Sequence, residues 1–222
     1  SIREIHLLLT HLHSDHIIGL GFFLPFYNPK MTIHLYGPAA SKESLTKRMR
    51  RYFSPPIFPV RLNELPCALI IHEVHRSTFS IGNYTVKSDY VCHPSPTIAY
   101  RITSNKKAIA YMPDHEAALG AAKFPMLPTW TSGYTIAANA DLLLHDAQYQ
   151  PEEYKQRRGW GHSTMQDAIL FGELAQVKKL LLFHHDPLHE DSKLESLYKN
   201  VLQASSQNFD IALAQEGMIY EV

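Results

Sequence analysis

Cysteine is scarce in this sequence, with only Cys67 and Cys92 among 222 residues. The two share no CxxC spacing, so the sequence predicts neither a zinc–thiolate knuckle nor a disulfide framework. Isolated cysteines are typical of proteins kept in a reducing compartment. We therefore expect a cytoplasmic protein.

An excess of charge of one sign is also absent, because 21 lysines and arginines balance 21 aspartates and glutamates. This balance gives no long-range attraction to nucleic acid or to a membrane surface, so a site for a polyanion would have to be local. Nucleic acid stays open as a substrate, although net charge does not support it. No apolar run reaches the roughly 18 residues that a membrane-spanning helix needs, and we expect no membrane partner.

Histidine, by contrast, is abundant: the chain has 14. Because histidine is the commonest metal ligand in proteins, a metal site is worth testing. Residues 5–10 read as a short buried strand, and His11, His13, Asp15 and His16 follow it directly. His11 and His13 can chelate one ion from the same side, while Asp15 and His16 can reach a neighbouring ion. A histidine-rich surface loop is the competing interpretation, but the order His-x-His-x-Asp-His favours the metal site.

The remaining patterns predict mixed α/β layers. Further strands are predicted at residues 31–36, 68–74, 84–91, 98–103, 107–112, 141–145 and 179–183, and helices at 17–27, 42–52, from 164 and around 194–202. Capping boxes are predicted at Ser163/Gln166 and Ser192/Glu195. Residues 211–213 and 218–220 are predicted to form a hairpin around Glu216-Gly217.

Three later residues follow the first motif in a recognisable order. His93 lies in Val-Cys-His-Pro, Asp114 ends the strand segment Tyr-Met-Pro-Asp, and His184 follows Leu-Leu-Leu-Phe. With the His-x-His-x-Asp-His motif, this order resembles the metallo-β-lactamase superfamily over nearly the whole chain. His185 is an alternative to His184, but neighbouring strand residues point to opposite faces, so only one should reach the metals. The family pattern places the ligand directly after the strand and favours His184.

The resemblance implies two divalent metal ions. The first would be held by His11, His13 and His93, the second by Asp15, His16 and His184, with Asp114 bridging both. Asp15 is also counted among the catalytic residues. Nitrogen and carboxylate ligands suit zinc, and manganese or iron stay alternatives because no cysteine is a ligand.

A second pair of motifs distinguishes branches of the superfamily. Gly-His-Ser-Thr at 161–164 and Leu-His-Asp-Ala at 144–147 resemble the phosphodiesterase branch, which includes the tRNA 3′-end endonucleases. In that branch an acidic residue and a histidine at matching places cooperate in proton transfer, which implies roles for Asp146 and His162. A helix-cap neighbour without chemistry is the alternative for His162. Residues 114–141 are too few for the inserted arm with which the endonucleases grip tRNA.

The fold implied by the resemblance is the four-layer αβ/βα sandwich, with two sheets face to face and helices outside. We expect one domain over residues 1–222 that is N-terminally incomplete, because family members carry several strands before the first motif. The absence of those strands would leave a sheet edge with unpaired backbone groups, which we expect another chain or further residues to cover. A homodimer is one such arrangement.

The function implied is hydrolysis of a phosphodiester by a hydroxide that bridges the metals, with a cyclic nucleotide, nucleic acid or small diester as substrate. His162, oriented by Asp146, would protonate the leaving oxygen. Two alternatives stay open: a hydrolase of esters, lactones or amides, and a non-catalytic metal-binding domain of a longer protein.

The other histidines are expected to be structural or surface residues, except that His115 could support Asp114 from outside the ligand set. These others are His6, His34, His72, His75, His145 and His189.

Overall fold

The computed structural model describes residues 2–121, 123–204 and 208–222. The chain divides into two compact units, Ser1–His75 and Arg76–Val222. Each unit has its own hydrophobic core. Over the described residues, none of the helices combines the length and the apolar character needed to cross a membrane.

The first unit is built on a parallel sheet. Its elements are β1 (Glu4–Leu8), α1 (Ser14–Ile17), β2 (Thr32–Pro38), α2 (Leu45–Tyr52) and β3 (Ala68–Val74). Among the described residues the sheet has three strands in the order β1-β2-β3. Successive strand residues point to opposite faces. The odd-numbered Ile33 and Leu35 are fully buried in one core with Leu45 and Met49 of α2, so the even-numbered residues occupy the other face.

The predicted helix over residues 17–27 is wrong. The helical turn begins earlier, as α1, and two 3₁₀ segments follow at Ile18–Phe22 and Leu24–Tyr27. Glycines at 19 and 21 disfavour a continuous α-helix, and Pro25 removes a backbone donor. A side chain at Gly21 would also overlap Phe58 and Tyr52. The helix predicted from 42 starts instead at Leu45, where the Ser44 hydroxyl accepts from the Lys47 amide at 3.2 Å.

The second unit is a mixed sheet covered by helices. Its elements are β4 (Ser77–Ile81), β5 (Tyr84–Tyr90), β6 (Ile98–Ser104), β7 (Lys107–Met112), α3 (Tyr134–Ala137), β8 (Leu142–Asp146), α4 (Pro151–Arg157), α5 (Met165–Leu174), β9 (Lys179–Phe183), α6 (Asp191–Gln203) and β10 (Asp210–Leu213). In the part of the chain that the structure describes, seven strands run in the order β10-β9-β8-β7-β6-β5-β4. Strands β4 to β7 pair antiparallel and β7 to β10 pair parallel. The carboxyl ends of β7, β8 and β9 therefore meet at one edge, where Asp146 ends β8 and where Asp114 and His184 come just after β7 and β9.

Several predicted details of the second unit are wrong. The C-terminal hairpin does not form, because residues 211–213 belong to β10, which pairs parallel with β9, and 218–220 are not a strand. The cap of α5 is Thr164, whose hydroxyl accepts from the Asp167 amide at 3.0 Å, because the Ser163 hydroxyl instead donates to the His115 carbonyl. Helix α6 begins at Asp191, ahead of the predicted cap at Ser192. Strand β4 and helix α4 were not predicted.

Candidate active site

The first motif forms a compact group within the first unit. His11 is fully buried just after β1, and its Nδ1 lies 3.1 Å from the Thr10 hydroxyl. The His13 and His16 rings are 4.4 and 4.3 Å from the His11 ring. Asp15 and His16 lie in the single turn of α1, with Oδ2 and Nε2 3.2 Å apart. The loop and the helical turn thus bring the four predicted ligands of this motif together.

A second group of predicted ligands forms at the sheet edge of the second unit. Asp114 and His93 are almost completely buried there. Asp114 Oδ2 lies 3.7 Å from His93 Nε2 and 3.5 Å from His184 Nε2. His93 Nδ1 lies 2.8 Å from the Gly161 carbonyl oxygen and donates to it. The lone pair of His93 is then on Nε2, the atom that faces Asp114, as a metal ligand requires.

The neighbouring histidines 184 and 185 point to different places. His184 adopts a φ of 56°, which is uncommon for a residue with a side chain. Its ring stacks on His162 at 5.0 Å and its Nε2 approaches Asp114. His185 instead lines a cavity with Asp191 and Leu194. The strained backbone at His184 is typical of a functional position, and the geometry favours His184 as the ligand.

Asp146 and His162 form a hydrogen-bonded pair beside these ligands. Asp146 is completely buried, and its Oδ2 accepts from His162 Nδ1 at 2.6 Å. Its Oδ1 accepts from the amides of Gln148 and Ser163 at 3.0 and 3.1 Å. Burial raises the pKa of the Asp146 carboxyl, and nearby His184 and the backbone amides oppose that rise. Because Asp146 occupies Nδ1, His162 turns Nε2 toward anything bound at the site.

The pair lies within reach of the ligand group. One ligand-type atom from each of His93, Asp114 and His162 lies within 4.8 Å of the others, and the same holds for Asp146, His162 and His184. The His93 and His162 rings are 5.0 Å apart. This edge can therefore combine metal binding with proton transfer.

Glu116 is a functional residue that sequence reasoning missed. It is 1% exposed, and Oε1 accepts from the Tyr154 hydroxyl at 2.6 Å and the Gly159 amide at 2.9 Å. Oε2 accepts from the Gly161 amide at 2.9 Å. Glu116 thus holds the loop that contains Gly161, whose carbonyl orients His93. His162 follows directly in the chain. The available signal was a carboxylate two residues after Asp114 and directly before an apolar stretch.

Gly161 cannot be replaced within this loop. Its φ is 91°, a left-handed conformation that favours glycine, and a Cβ there would overlap the His93 ring and Pro94. The close approach of backbone and ring is what allows the Gly161 carbonyl to accept from His93.

We expect Glu116→Gln to lower both stability and activity. An amide offers one acceptor where three donors converge, so the free energy of unfolding should fall by roughly 2–3 kcal/mol, as for lost bonds to a buried charge. Because His93 and His162 depend on the loop, hydrolysis should fall about 10–100-fold, the usual effect of an outer partner of a metal ligand. Urea unfolding and steady-state rates measure the two effects.

Glu152→Gln is the matched control for this variant. Glu152 is largely exposed and pairs with Lys155 on the surface of α4, so its loss should change stability by less than about 0.5 kcal/mol. Equal effects of the two substitutions on stability and activity would contradict the role of Glu116 in holding the loop.

His115 and His145 form a buried pair beneath Asp146. His115 Nδ1 lies 2.8 Å from His145 Nε2, and His145 Nδ1 donates to the Asp146 carbonyl at 2.7 Å. The His115 amide also donates to Asp146 Oδ2 at 3.1 Å. Burial lowers the pKa of both imidazoles, that of His145 to about 4. His115, expected to support Asp114, therefore contacts Asp146 instead, and the pair is held neutral.

The His145 pKa predicts a pH dependence of stability. Unfolded His145 titrates near pH 6.5 and folded His145 near 4, so the unfolded chain takes up its proton first as pH falls. The stabilisation that comes from neutral His145 is complete above pH 6.5 and is lost progressively as the pH falls to 4. The free energy of unfolding falls by roughly 3 kcal/mol over that range. Unfolding curves give the free energy of unfolding at each pH. Its slope against pH should differ between wild type and His145→Gln, and the difference should be larger at pH 4.5 than at pH 7. An identical slope in wild type and His145→Gln would contradict the assignment.

A family model described as a β-lactamase superfamily domain matches residues 2–185. The chain belongs to the metallo-β-lactamase superfamily. One curated relative of this superfamily member is ribonuclease Z of Thermococcus gammatolerans. The two sequences are 25% identical, and the match covers 99% of this chain and 79% of that protein.

Solved structures show the metallo-β-lactamase fold. The protein YhfI from Bacillus subtilis, itself a metallo-β-lactamase fold protein, matches with a TM-score of 0.68 at 19% identity, over 97% of this chain and 76% of that one. The short form of human tRNase Z matches with a TM-score of 0.67 at 21% identity, over 97% of this chain and 78% of that one.

These matches confirm the predicted superfamily, its phosphodiesterase branch and the fold class. They also confirm a metal-dependent hydrolase with divalent metal ions as cofactors. The single domain, the cytoplasmic location and the role of each site residue stay predictions.

Proposed function

We propose that this protein hydrolyses phosphodiester bonds in RNA, using two divalent metal ions and His162 as the general acid. The observation that carries the proposal is the 2.6 Å bond between His162 and Asp146 beside His93, Asp114 and His184. The similarity to ribonuclease Z supports RNA as the substrate class. A small diester or cyclic nucleotide is the runner-up.

The donor atoms in the second unit fit a metal. The distances of 3.5 and 3.7 Å from Asp114 Oδ2 to the two histidine nitrogens exceed those of ordinary hydrogen bonds. Ligands that bind zinc tetrahedrally at about 2.0–2.1 Å stand about 3.3 Å from one another, so a small contraction around an ion suffices. Nitrogen and oxygen donors favour zinc, with manganese and iron as alternatives.

The proposed ligand set spans both motifs. His11, His13 and His93 would hold one ion, Asp15, His16 and His184 the other, and Asp114 would contact both. When bound, two such ions would stabilise negative charge on the phosphoryl oxygens and lower the pKa of a water to about 7. Asp15 would assist as both ligand and catalytic residue.

Side chains of the protein would protonate the leaving group. Asp146 holds His162 Nδ1, which leaves Nε2 to place a proton on the departing oxygen as the P–O bond breaks. Stacking on His184 and the edge of His93 fixes the plane of the ring. The acid is therefore oriented from three sides before substrate arrives.

A substrate screen tests the proposal. The full chain, loaded with zinc or manganese, is assayed on a short structured RNA with a 3′ extension, cyclic nucleotides, bis-p-nitrophenyl phosphate, lactones and nitrocefin. Cleavage of RNA at a defined bond is the expected result. Turnover of small diesters alone would favour the runner-up substrate, and activity confined to lactones or nitrocefin would overturn the phosphodiesterase.

A further inference from the structure

Three histidines and a glutamate collect on the face of the first sheet that is opposite α2. Glu4 and His6 lie two apart on β1, so they share that face. The parallel register sets His6 beside His34 of β2, and Tyr36 beside His72 of β3. Neighbouring strands are about 4.8 Å apart, which brings these side chains into contact.

The donor atoms of this cluster converge on one point. Glu4 Oε1 lies 3.0 Å from His6 Nε2 and 3.5 Å from His34 Nε2. The ligand-type atoms of all three residues lie within 4.8 Å of one another. Four donors around zinc at about 2.0–2.1 Å would be separated by about 3.3 Å, between the two observed distances. Two of the three separations are thus close to the spacing of ligands around one ion, and the third is no more than 4.8 Å.

The second nitrogen of each histidine is oriented from outside the cluster. His6 Nδ1 lies 3.2 Å from the Tyr36 hydroxyl, and His34 Nδ1 lies 2.9 Å from His72 Nε2. Metal-binding histidines commonly have such a partner at the other nitrogen, and the Tyr36 hydroxyl and His72 Nε2 can each accept from Nδ1 in the tautomer whose lone pair lies on Nε2. The His6 and His34 rings also stack at 4.7 Å, which keeps both Nε2 atoms on the same side.

We propose that Glu4, His6 and His34 form a further zinc site, separate from the catalytic ligands. Two imidazoles and one carboxylate suit zinc rather than magnesium or calcium, which prefer oxygen donors throughout. The cluster is half-buried, so water completes the fourth position. The ion links β1 to β2 and stabilises the sheet that presents the first motif. The sequence alone had placed His6 and His34 among structural or surface residues.

Metal content of the full chain tests this site. Wild type, Glu4→Gln and His34→Ala are dialysed against micromolar zinc chloride and analysed for zinc, with His75→Ala as the control outside the cluster. We expect wild type and control to hold one more equivalent than either cluster variant. Zinc should raise the thermal midpoint of both cluster variants less than that of wild type. Diester hydrolysis should stay within about twofold of wild type in both.

Zinc counting separates this proposal from the catalytic one, because it requires no activity. Equal zinc content in wild type and Glu4→Gln would overturn the site and leave a hydrogen-bonded cluster. Glu4 is 60% exposed, so its substitution decides the matter even if His34→Ala does not fold. Cobalt in place of zinc gives a second readout, the visible absorption of tetrahedral cobalt. Loss of the absorption of one such ion in Glu4→Gln supports the site, and an unchanged spectrum contradicts it.

Discussion

Asp114→Ala is expected to lower diester hydrolysis by roughly 10³-fold or more. Loss of an outer partner of a metal ligand already costs about 10–100-fold, and loss of a carboxylate proposed to contact two ions should matter more. Asp114 is 2% exposed and lies close to both His93 and His184.

Zinc analysis should show the same loss. In a His34→Ala background, which removes the proposed sheet site, the parent should bind two zinc ions per chain and the Asp114→Ala variant fewer than one. Asp210→Ala, an exposed substitution on β10, is the control and should retain both ions and full activity. A parent that saturates with one ion would contradict the two-metal centre, and normal zinc in Asp114→Ala would remove Asp114 from the ligand set.

His162→Ala is expected to slow hydrolysis according to the leaving group. A sugar alkoxide needs a proton as it departs, whereas p-nitrophenolate leaves without one. Cleavage of RNA or an alkyl diester should therefore fall by roughly 10²–10⁴-fold, the usual contribution of a positioned acid. Hydrolysis of bis-p-nitrophenyl phosphate should barely change. The comparison of two substrates in one variant controls for folding and metal loading.

Asp146→Asn should show the same selectivity more weakly, since Asp146 acts through His162. An asparagine can still accept from His162 Nδ1, but it lacks the charge that favours the protonated ring. Zinc content should be normal in both variants. Equal slowing of both substrates in His162→Ala, with metals intact, would assign His162 to substrate positioning rather than to proton transfer.

The site could be predicted largely because its residues follow strand ends. In a parallel sheet, the carboxyl ends of neighbouring strands share an edge, so Asp114, Asp146 and His184 converge once β7, β8 and β9 pair. The short apolar runs that predict these strands can be read locally. The sequence favoured His184 over His185 from the family pattern alone, whereas the left-handed backbone at residue 184 that accompanies its orientation could be seen only in the structure.

The sequence by itself determined the family motif, most strands and the chemical types available for metal binding, because these depend on residues close together in the chain. Only the tertiary structure decided contacts between distant segments. Glu116 holds residues 43 and 45 positions away, and Glu4 meets His34 only through the register of β1 and β2. Local patterns carry no information about register or loop docking, since both follow from how whole strands and helices pack.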